Sequence, residues 1–358
     1  MIVTGGGTGG HLFPGIAVAE FVLAARPGSE VLFVSTDRQV DQRALAGRPF
    51  RTAAVRGQGL KGMGAVARLR ALLQLPLALG EAMGLVRRFR PQLVLGVGGY
   101  VTGPVVLAAR LLGIPTGIHE QNSVPGLANR WLGRLVDRIF LSIPESESWF
   151  PAGRAVLTGN PVRCELLSAA AGKPGPATLL VLGGSQGAHR VNTLVVEALT
   201  GCRDRLPAGF KVIHQTGAQD ESRVAEAYRK SGIEAQVGAF FNDMAALYGQ
   251  AALVVSRAGA TTLAELTVAG KPALLIPYPY AADNHQEKNA EYLVAGGAAR
   301  MYREAELTGA TLGGEVLALL TAPERLARMA ARSASLAKPE ATAAIMAECL
   351  RLIESKNV

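Results

Sequence analysis

The sequence predicts an α/β protein with two doubly wound parallel-sheet domains. Strand patterns and helix patterns alternate along the whole chain, which is typical of parallel sheets covered by helices on both faces. The alternation pauses at a Pro-bearing joint near Asn160–Pro161 and restarts at Thr178. A Gly-rich turn follows the opening strand of each half. We therefore expect one domain over residues 1–160 and a second over residues 161–338.

Each strand is predicted from a short apolar or β-branched run that ends in a turn signal. The helices are predicted from apolar residues at helical spacing between those runs. The chain after Pro339 predicts one further amphipathic helix. The predicted strands are Ile2–Thr4, Val31–Ser35, Leu93–Gly96, Thr116–His119, Arg138–Leu141, Thr178–Leu182, Phe210–His214, Ala235–Val237, Leu253–Ser256 and Ala273–Ile276, and helices are predicted over Gly15–Ala25, Pro104–Leu112 and Ala341–Glu354.

Composition narrows the classes of partner. A chain of 358 residues is long enough for two domains with separate cores. Hydrophobic residues make up 49% and charged residues 18%, which suits sheets buried on both faces. The formal net charge of +9 favours anionic partners, namely nucleic acid, an acidic lipid surface or a phosphorylated substrate. Aromatic residues are only 5%, which disfavours stacking platforms for single-stranded nucleic acid.

Cysteine usage and the chain start predict a soluble protein of a reducing compartment. Cys164, Cys202 and Cys349 are scattered without CxxC spacing, which argues against a disulfide framework or a zinc site. The chain opens directly with a strand and a glycine turn, without a signal-peptide pattern. No apolar run approaches the ~20 residues of a spanning helix. We expect a soluble chain that can still lie on a membrane surface.

The stretch from Ser256 to Asn289 is the strongest candidate for a ligand site. In each of its halves, an apolar strand ends in a turn that bears Gly or Pro, and a helix then starts with polar residues. Parallel strands end at the same edge of a sheet, so two helix N-termini are expected to face one crevice. Backbone N–H groups and helix dipoles at such ends favour a phosphate-bearing ligand.

Two interpretations of Thr262 and Glu265 stay open at this point. Their spacing at a helix start predicts a capping box, in which the hydroxyl and the carboxylate satisfy helix amides. A carboxylate there is equally suited to accept the two hydroxyls of a ribose. The nearby polar cluster favours the second interpretation, because it offers several groups to sugar hydroxyls; its members are Asp283, His285, Gln286 and Asn289.

Gly5, Gly7 and Gly10 satisfy the G-x-G-x-x-G spacing of dinucleotide-binding turns. Asp37 ends the second predicted strand, where such an enzyme holds its ribose. A nicotinamide-dependent oxidoreductase is therefore an alternative. Two more glycine turns, Gly96–Tyr100 and Gly183–Ala188, weaken it. Glycine turns in both halves favour a cleft between two Rossmann-like domains over a single dinucleotide site.

Six motifs occur in order along the chain, and they are Gly5–His11, Gly96–Tyr100, His119–Asn122, Gly159–Arg163, Gly183–Ala188 and Ser256–Ala260 with Glu265. Together they resemble the MurG family, bacterial UDP-N-acetylglucosamine transferases that convert lipid I to lipid II in peptidoglycan synthesis. The resemblance covers nearly the whole chain. It implies the GT-B fold, in which two Rossmann-like domains face each other across a cleft. Residues 1–160 would then be the acceptor- and membrane-facing domain, with helix 339–358 packing back on it, and residues 161–338 the donor domain.

The resemblance implies roles for individual residues on the donor side. Glu265 would hold the ribose hydroxyls, and the backbone near Phe241 would recognise the uracil edge. Ser185 and its turn would face the diphosphate, with Arg163 nearby. The N-acetylglucosamine would contact Ala260, Thr262, Gln286 and Asn289. The full donor-binding set implied by the resemblance is Thr8, Gly9, Gly10, Asn122, Arg163, Ser185, Phe241, Ala260, Thr262, Glu265, Gln286 and Asn289.

On the acceptor side, the resemblance implies that the cleft is lined by Thr8, His11, Tyr100 and Asn122. The sequence departs from the family at one position of the donor side. Where the family commonly has a Gln-Gln pair, this chain has His285-Gln286, which leaves the role of position 285 open.

The expected reaction is an inverting displacement, in which the 4-hydroxyl of N-acetylmuramic acid attacks C1 of the donor sugar and UDP leaves. Helix N-termini after Gly187 and Gly259 would stabilise the diphosphate. No Asp-x-Asp sequence is present, so we expect no cofactor and no obligatory metal, while stimulation by a divalent cation stays open.

His11 is the first candidate base, since an ordinary histidine pKa of ~6.5 suits proton transfer. A capping or packing role for His11 is the alternative, and Glu120 and His119 are weaker candidates.

Residues 60–91 predict a membrane-facing patch. Six basic residues and one acidic residue, Glu81, are interleaved with leucines there. A buried helix pair with solvated arginines is the alternative. Because lipid I is a membrane substrate, the resemblance favours peripheral binding to the anionic cytoplasmic face of the bacterial inner membrane, with no nucleic-acid partner.

Four other functions stay open on the sequence alone. Two are related enzymes, a GT-B transferase that glycosylates a diacylglycerol lipid and a UDP-N-acetylglucosamine epimerase. The third is the nicotinamide-dependent oxidoreductase, and the fourth is a basic, non-catalytic nucleic-acid-binding protein.

Overall fold

The computed structural model describes residues 1–55, 65–169, 177–184 and 187–356. The chain divides into two compact units. The first contains Met1–Arg163 and Pro339–Val358, and the second contains Cys164–Lys338. The division at residue 163 lies three residues after the predicted boundary. In each unit, helices alternate with the strands of one parallel sheet.

The first unit has seven parallel strands among its described residues. They are β1 (Ile2–Thr4), β2 (Leu32–Ser35), β3 (Arg51–Ala54), β4 (Val94–Gly96), β5 (Thr116–Glu120), β6 (Arg138–Leu141) and β7 (Ala155–Leu157). Their spatial order is β3-β2-β1-β4-β5-β6-β7. Thr4 of β1 pairs with Val34 on one side and with Gly96 on the other. The order reverses between β1 and β4, and ligands of such sheets bind where the strands end at this switch point.

Helices between these strands bury apolar residues against the sheet. Leu12 and Ile16 of the first helix are buried with Val3 and Phe33 of the strands. The helices are α1 (Gly9–Ala25), α2 (Gln39–Leu45), α3 (Ala65–Phe89), α4 (Thr102–Leu111) and α5 (Leu127–Leu132), and a 3₁₀ turn covers Pro144–Trp149.

The second unit repeats this plan with six described strands. They are β8 (Thr178–Leu182), β9 (Lys211–Gln215), β10 (Ala235–Gly238), β11 (Leu253–Ser256), β12 (Ala273–Leu275) and β13 (Ala299–Met301). Their order is β10-β9-β8-β11-β12-β13, and all pairs are parallel. The switch point of this sheet lies between β8 and β11, and β11 pairs with β12 as the sequence predicts.

The helices of the second unit pack closely enough for glycine to be needed between two of them. A Cβ added to Gly313 would lie 2.9 Å from the carbonyl oxygen of Ala198. The helices are α6 (Cys164–Ala169), α7 (His189–Gly201), α8 (Glu221–Ser231), α9 (Met244–Gln250), α10 (Ala260–Val268), α11 (His285–Ala295), α12 (Gly309–Leu320) and α13 (Pro323–Ser335), with 3₁₀ turns at Arg203–Arg205, Ala282–Asn284 and Glu304–Glu306.

The last helix, α14 (Ala341–Lys356), belongs to the first unit. Its apolar residues Ile345, Cys349 and Leu352 are buried in the same core as Leu12. Glu348 of α14 accepts a hydrogen bond from Arg138 at 3.4 Å. Among the described residues, none of the helices is both long and apolar enough to cross a bilayer.

Two sequence predictions about elements are wrong in detail. Three of the four edge strands, β3, β7 and β13, were not predicted, because each is short and partly exposed and gives little periodic signal. Helix α1 begins at Gly9 instead of Gly15, although Gly10 and Pro14 are poor helix formers. Burial of Leu12, Pro14 and Ile16 stabilises this first part of α1.

Candidate active site

Two glycine turns interlock at the switch point of the first sheet. The turn after β1 contains Gly5 and Gly6, and the turn after β4 contains Gly98 and Gly99. A Cβ on Gly99 would lie 2.2 Å from the carbonyl oxygen of Gly6. Gly98 and Gly99 also have φ of +102° and +87°, a region that only glycine adopts readily. These glycines let two backbones pack directly against each other at the carboxyl edge.

The side chain of Asp41 contacts the first of these turns. Its carboxylate is fully buried and accepts the Gly7 N–H at 2.9 Å and the Thr36 hydroxyl at 2.5 Å. A dinucleotide-binding turn presents its amides to a pyrophosphate, whereas here a negative side chain holds the amide. Asp37, the expected ribose ligand of that alternative, is exposed on the surface. The local geometry therefore argues against the dinucleotide interpretation.

His11 lies in the first turn of α1, against the second glycine turn. Its Nδ1 is 3.2 Å from Gln121 Oε1. A Cβ on Gly98 would lie 2.5 Å from the same Nδ1, so the imidazole packs directly against the backbone of Gly98, where there is no room for a side chain. The ring is half-buried. This position combines an ordered partner on one ring nitrogen with partial access to solvent, as a general base requires.

The two weaker base candidates are buried and have structural roles. Glu120 is 1% exposed and accepts N–H groups from Asn122 at 2.9 Å, Gly126 at 3.1 Å and Asn129 at 2.9 Å. It thereby orders the loop after β5. His119 is 0% exposed, and burial lowers its pKa to about 4. His11 is therefore the better placed of the three.

The other residues of the first unit follow the carboxyl ends of β1, β4 and β5. Thr8 is the exposed N-cap of α1, and its hydroxyl makes no capping hydrogen bond. Tyr100 is 41% exposed, and the guanidinium of Arg38 lies 5.8 Å from its ring centre. The Asn122 amide donates to Glu120 Oε1 at 3.2 Å. The sheet thus brings these predicted residues to the same edge as His11.

Gly9 and Gly10 form the first turn of α1, and Arg163 ends the first unit. The guanidinium of Arg163 lies 4.9 Å from the ring centre of Phe13, which is also on α1. This stacking orders the arginine. Donor contacts by these three residues stay predictions.

In the second unit, Gln215 connects two predicted parts of the donor site. Its Oε1 accepts the Phe241 N–H at 3.1 Å, and its Nε2 lies 3.4 Å from the Gly184 carbonyl. The Phe241 N–H is thus engaged within the protein, and recognition of a uracil edge would fall to other backbone groups of this segment. Ser185 lies outside the described residues.

Arg257, to which the sequence motifs assign no role, connects the two turns of the Ser256–Asn289 stretch. It follows β11 and donates to the carbonyl oxygens of Ile276 and Pro277, which follow β12, both at 3.1 Å. Its guanidinium also pairs with Glu304 at 2.5 Å. The start of α10 is therefore fixed relative to the loop that leads to α11.

The predicted capping box of Thr262 and Glu265 is wrong. Gly259 is the N-cap of α10, and Thr262 is already the third residue of the helix. Glu265 is 6% exposed and its Oε2 accepts the hydroxyl of Tyr248 at 3.1 Å. Because Gly259 has no side chain, no capping side chain occupies the backbone N–H groups in the first turn of α10, which begins at Ala260. The ribose role of Glu265 stays a prediction.

Helix α11 begins after two residues in the left-handed region, Asp283 and Asn284, each with φ of 53°. His285 Nδ1 lies 2.7 Å from the Ala282 carbonyl and braces this turn, which gives position 285 a local structural role. Gln286 Oε1 accepts the Tyr278 N–H at 2.9 Å. Because an N–H only donates, Nε2 is the end of Gln286 that can donate to a sugar hydroxyl.

Asn289 is fully buried and its amide lies 3.3 Å from the Ala258 carbonyl oxygen. It links α11 to the turn between β11 and α10. This contact supports a positioning role, and a direct contact of Asn289 with the sugar stays a prediction, as do those of Ala260 and Thr262 at the start of α10.

Sequence reasoning missed the groups that orient the predicted residues. Gln121 lies inside the motif His119–Asn122, but nothing in the motif identifies its partner 110 residues away. Tyr248 and Gln215 contact partners 17 and 26 residues away and carry no local signal. Within the described part of the chain, no group of three or more His, Cys, Asp or Glu side chains could hold a metal ion.

Comparison with known proteins places this geometry in a family. Residues 1–141 match the glycosyltransferase family 28 N-terminal domain, and residues 178–345 match the family 28 C-terminal domain. A relative from Desulfotalea psychrophila is 52% identical, over 99% of this chain and 96% of its own. It is named UDP-N-acetylglucosamine--N-acetylmuramyl-(pentapeptide) pyrophosphoryl-undecaprenol N-acetylglucosamine transferase. The chain belongs to the MurG family of glycosyltransferases.

Solved structures agree with this assignment to the MurG family. A crystal structure of Acinetobacter baumannii MurG is 31% identical, with a TM-score of 0.80, over 98% of this chain and 99% of that one. The two parallel-sheet units are accordingly those of the GT-B fold. A UDP-N-acetylglucosamine 2-epimerase from Neisseria meningitidis has a TM-score of 0.71 at 15% identity, over 98% of this chain and 99% of that one. At this identity the likeness extends to the fold alone.

Proposed function

We propose that this glycosyltransferase moves N-acetylglucosamine from UDP-N-acetylglucosamine to the 4-hydroxyl of N-acetylmuramic acid in lipid I, which yields lipid II for peptidoglycan. The observation that carries this proposal is the 52% identity, over 99% of the chain, with a transferase named for that reaction. The epimerase and the diacylglycerol transferase lack a comparable relative among the similarities described above.

The second unit supplies the donor site. Helices α7 and α10 begin at the carboxyl ends of β8 and β11, on either side of the switch point. Their N-terminal amides would carry the diphosphate, as helix N-termini do for other phosphates. Glu265 would accept the ribose hydroxyls with a carboxylate that Tyr248 already orients at 3.1 Å. Gln286 Nε2 would donate to the sugar.

The first unit supplies the acceptor side and the base. His11 takes the proton of the acceptor 4-hydroxyl as that oxygen attacks C1 of the donor sugar. The bond between C1 and the phosphate oxygen breaks, and UDP leaves with the electron pair, so the anomeric centre inverts. General-base catalysis of this kind contributes roughly 10²–10⁴-fold to the rate. Thr8, Tyr100 and Asn122 would line this side.

In this mechanism, backbone N–H groups and helix N-termini stabilise the negative charge of the leaving UDP. The enzyme would then need no cofactor and no tightly held metal, and a divalent cation would stimulate at most. Turnover that persists after exhaustive treatment with a chelator supports this part of the proposal. Complete loss of turnover, restored by Mg²⁺ or Mn²⁺, would contradict it.

We also propose that the enzyme binds the anionic cytoplasmic face of the inner membrane through the patch at residues 60–91. Residues 60–64 lie outside the described residues, and side chains are described from residue 75 onward. Leu75 and Leu77 of α3 are 45% and 68% exposed, and Arg87, Arg88 and Arg90 are exposed at its end. Exposed leucines beside arginines suit an interface with anionic headgroups.

Helix α5, which lies outside residues 60–91, adds exposed apolar groups to this proposed membrane-binding surface. Helix α4 packs against α3, and α5 packs against α4. Leu127 and Trp131 of α5 are 64% and 63% exposed. The guanidinium of Arg134 lies 5.3 Å from the ring centre of Trp131. Tryptophan with arginine is typical of a membrane–water interface.

Transfer itself tests the catalytic proposal. The enzyme is incubated with UDP-N-acetylglucosamine radiolabelled in the sugar, with and without a lipid I analogue. We expect label in the lipid product only when the acceptor is present. An epimerase would instead convert the nucleotide sugar without any acceptor, and label on diacylglycerol but not on the lipid I analogue would favour the other transferase.

A further inference from the structure

Gln121 connects two histidines in the first unit. It directly follows β5 and is 1% exposed. Its Nε2 lies 2.7 Å from the Val97 carbonyl and 3.0 Å from His119 Nδ1. Its Oε1 lies 3.2 Å from His11 Nδ1. The amide group therefore contacts the candidate base on one side and a buried histidine on the other.

The orientation of this amide is determined by its partners. A carbonyl oxygen only accepts hydrogen bonds, so the atom 2.7 Å from the Val97 oxygen must be the NH₂ group. Oε1 therefore faces His11. Because Oε1 only accepts, His11 Nδ1 must carry a proton.

The other histidine agrees with this assignment independently. His119 Nε2 lies 3.1 Å from both the Gly159 carbonyl oxygen and the Ser142 hydroxyl oxygen, and because a carbonyl only accepts, Nε2 must carry the proton and the Ser142 oxygen accepts as well. His119 is fully buried and burial lowers its pKa to about 4, so it is neutral at physiological pH. A neutral imidazole with its proton on Nε2 has an acceptor at Nδ1, which is where the second Gln121 N–H donates at 3.0 Å. Two backbone carbonyls thus determine every donor and acceptor from Gly159 to His11.

We propose that Gln121, oriented by Val97 and His119, is a positioning residue that holds neutral His11 in the tautomer with its proton on Nδ1. This inference rests on the proposed function, in which His11 is the base. The tautomer places the lone pair on Nε2, the nitrogen on the far side of the ring from Gln121. That nitrogen takes the proton of the acceptor hydroxyl.

The same hydrogen bond serves the reaction after proton transfer. When Nε2 has taken the proton, the imidazolium still donates from Nδ1 to Gln121 Oε1, and a hydrogen bond from a charged donor is stronger than from a neutral one. The arrangement parallels the buried carboxylate that orients a catalytic histidine in hydrolases, with a neutral amide in its place. A neutral partner fixes the tautomer without adding a charge beside the buried His119.

The test compares two identical substitutions in the full-length enzyme. Gln121→Met keeps the length of the side chain and removes its hydrogen bonds. Gln42→Met is the matched control in the same unit, because Gln42 is exposed and its side chain donates to the Asp37 carbonyl, away from His11 and His119. The tautomer of His11 is determined from imidazole ¹⁵N shifts of ¹⁵N-histidine-labelled protein. The chain has five histidines, and the His11→Gln variant assigns the His11 resonance.

We expect a neutral His11 protonated at Nδ1 in the wild type and in Gln42→Met, and a shift toward the Nε2-protonated form in Gln121→Met. We also expect kcat for transfer to the lipid I analogue to fall by about 10-fold in Gln121→Met, part of the contribution of a general base, with KM for the donor little changed. An Nε2-protonated His11 in the wild type, or an unchanged tautomer in Gln121→Met, overturns the inference. Failure of the wild type to transfer sugar would instead refute the proposed function and leave the tautomer result intact.

Discussion

At the scale of single residues, the predicted ligands are oriented before any substrate binds. Glu265 is nearly buried and accepts the Tyr248 hydroxyl at 3.1 Å. Gln286 accepts the Tyr278 N–H at 2.9 Å. Ordering these side chains in advance reduces the entropy lost on binding, which raises affinity without further contacts.

Glu265→Gln is expected to weaken UDP binding by about 1–3 kcal/mol, because a hydrogen bond to a charged group is lost. Tyr248→Phe should weaken it less, by about 1 kcal/mol, since it removes only the orienting bond. Both values are measured by isothermal titration calorimetry with UDP and with 2′,3′-dideoxy-UDP. If Glu265 holds the ribose hydroxyls, the Gln variant loses its preference for UDP over the dideoxy compound. A preference that survives in Glu265→Gln would contradict the ribose role.

At the scale of elements, the site depends on turns that are held in place by contacts with other residues of the protein. The turn after β1 binds the Asp41 carboxylate through the Gly7 N–H, and the turn after β4 packs on it through Gly99. In the second unit, Arg257 joins the turns after β11 and β12. Such internal contacts keep the turns in one conformation, as a preorganised site requires.

Asp41→Asn is expected to lower the unfolding free energy of the first unit by about 1–3 kcal/mol, because buried donors lose a charged acceptor. Asp37→Asn is the matched control and should stay within about 0.5 kcal/mol, since Asp37 is exposed. Both are measured by urea titration with tryptophan fluorescence.

In thermal-shift assays, UDP should raise the melting temperature and NAD should not. Stabilisation by NAD that is lost in Asp37→Asn would restore the dinucleotide interpretation.

The sequence predicted the elements that end at the switch points, because central parallel strands are apolar runs and their turns are marked by glycine. The motifs also indicated His11, Tyr100 and Glu265 as candidate site residues. The sequence did not predict the edge strands β3, β7 and β13, the start of α1 or the Gly259 cap, where tertiary packing overrides local propensity. The partners Gln121, Tyr248 and Asp41 depend on contacts between distant residues, which periodicity and spacing do not encode.

At the scale of the whole molecule, each unit has its own sheet and its own core. The chain contains two tryptophans, Trp131 and Trp149, and both belong to the first unit. Tryptophan fluorescence therefore reports on that unit alone, which allows its unfolding and its membrane contacts to be measured in the full chain.

The stability of the first unit should fall in acid partly through His119. Burial lowers its pKa to about 4, against ~6.5 in the unfolded chain, so the unfolded state binds a proton that the folded state excludes. The contribution is complete above pH 6.5 and is lost as the pH falls toward 4, at about 1.4 kcal/mol per pH unit. His119→Gln should therefore show a shallower dependence of unfolding free energy on pH between 6.5 and 4. An unchanged slope would contradict a neutral buried His119.

The membrane proposal predicts a loss of binding when the end of α3 is reversed in charge. Arg87→Glu with Arg88→Glu should weaken binding to phosphatidylglycerol vesicles by 10-fold or more, since each basic residue contributes about 1 kcal/mol at an anionic surface. Arg328→Glu with Arg332→Glu, exposed on α13, is the control with the same change in net charge. Binding is followed by cosedimentation and by the blue shift of tryptophan emission. Equal losses in the two double variants would show that net charge alone matters.

The proposed mechanism is an inverting transfer of N-acetylglucosamine to a muramyl acceptor with His11 as base. Its most direct test is the anomeric configuration and yield of the product that wild type and His11→Ala form from α-linked UDP-N-acetylglucosamine and a lipid I analogue. The mechanism predicts a β1,4-linked product from the wild type and turnover lower by roughly 10²–10⁴-fold in His11→Ala. An α-linked product, or a His11→Ala variant with near-normal turnover and an unchanged pH dependence, would contradict it.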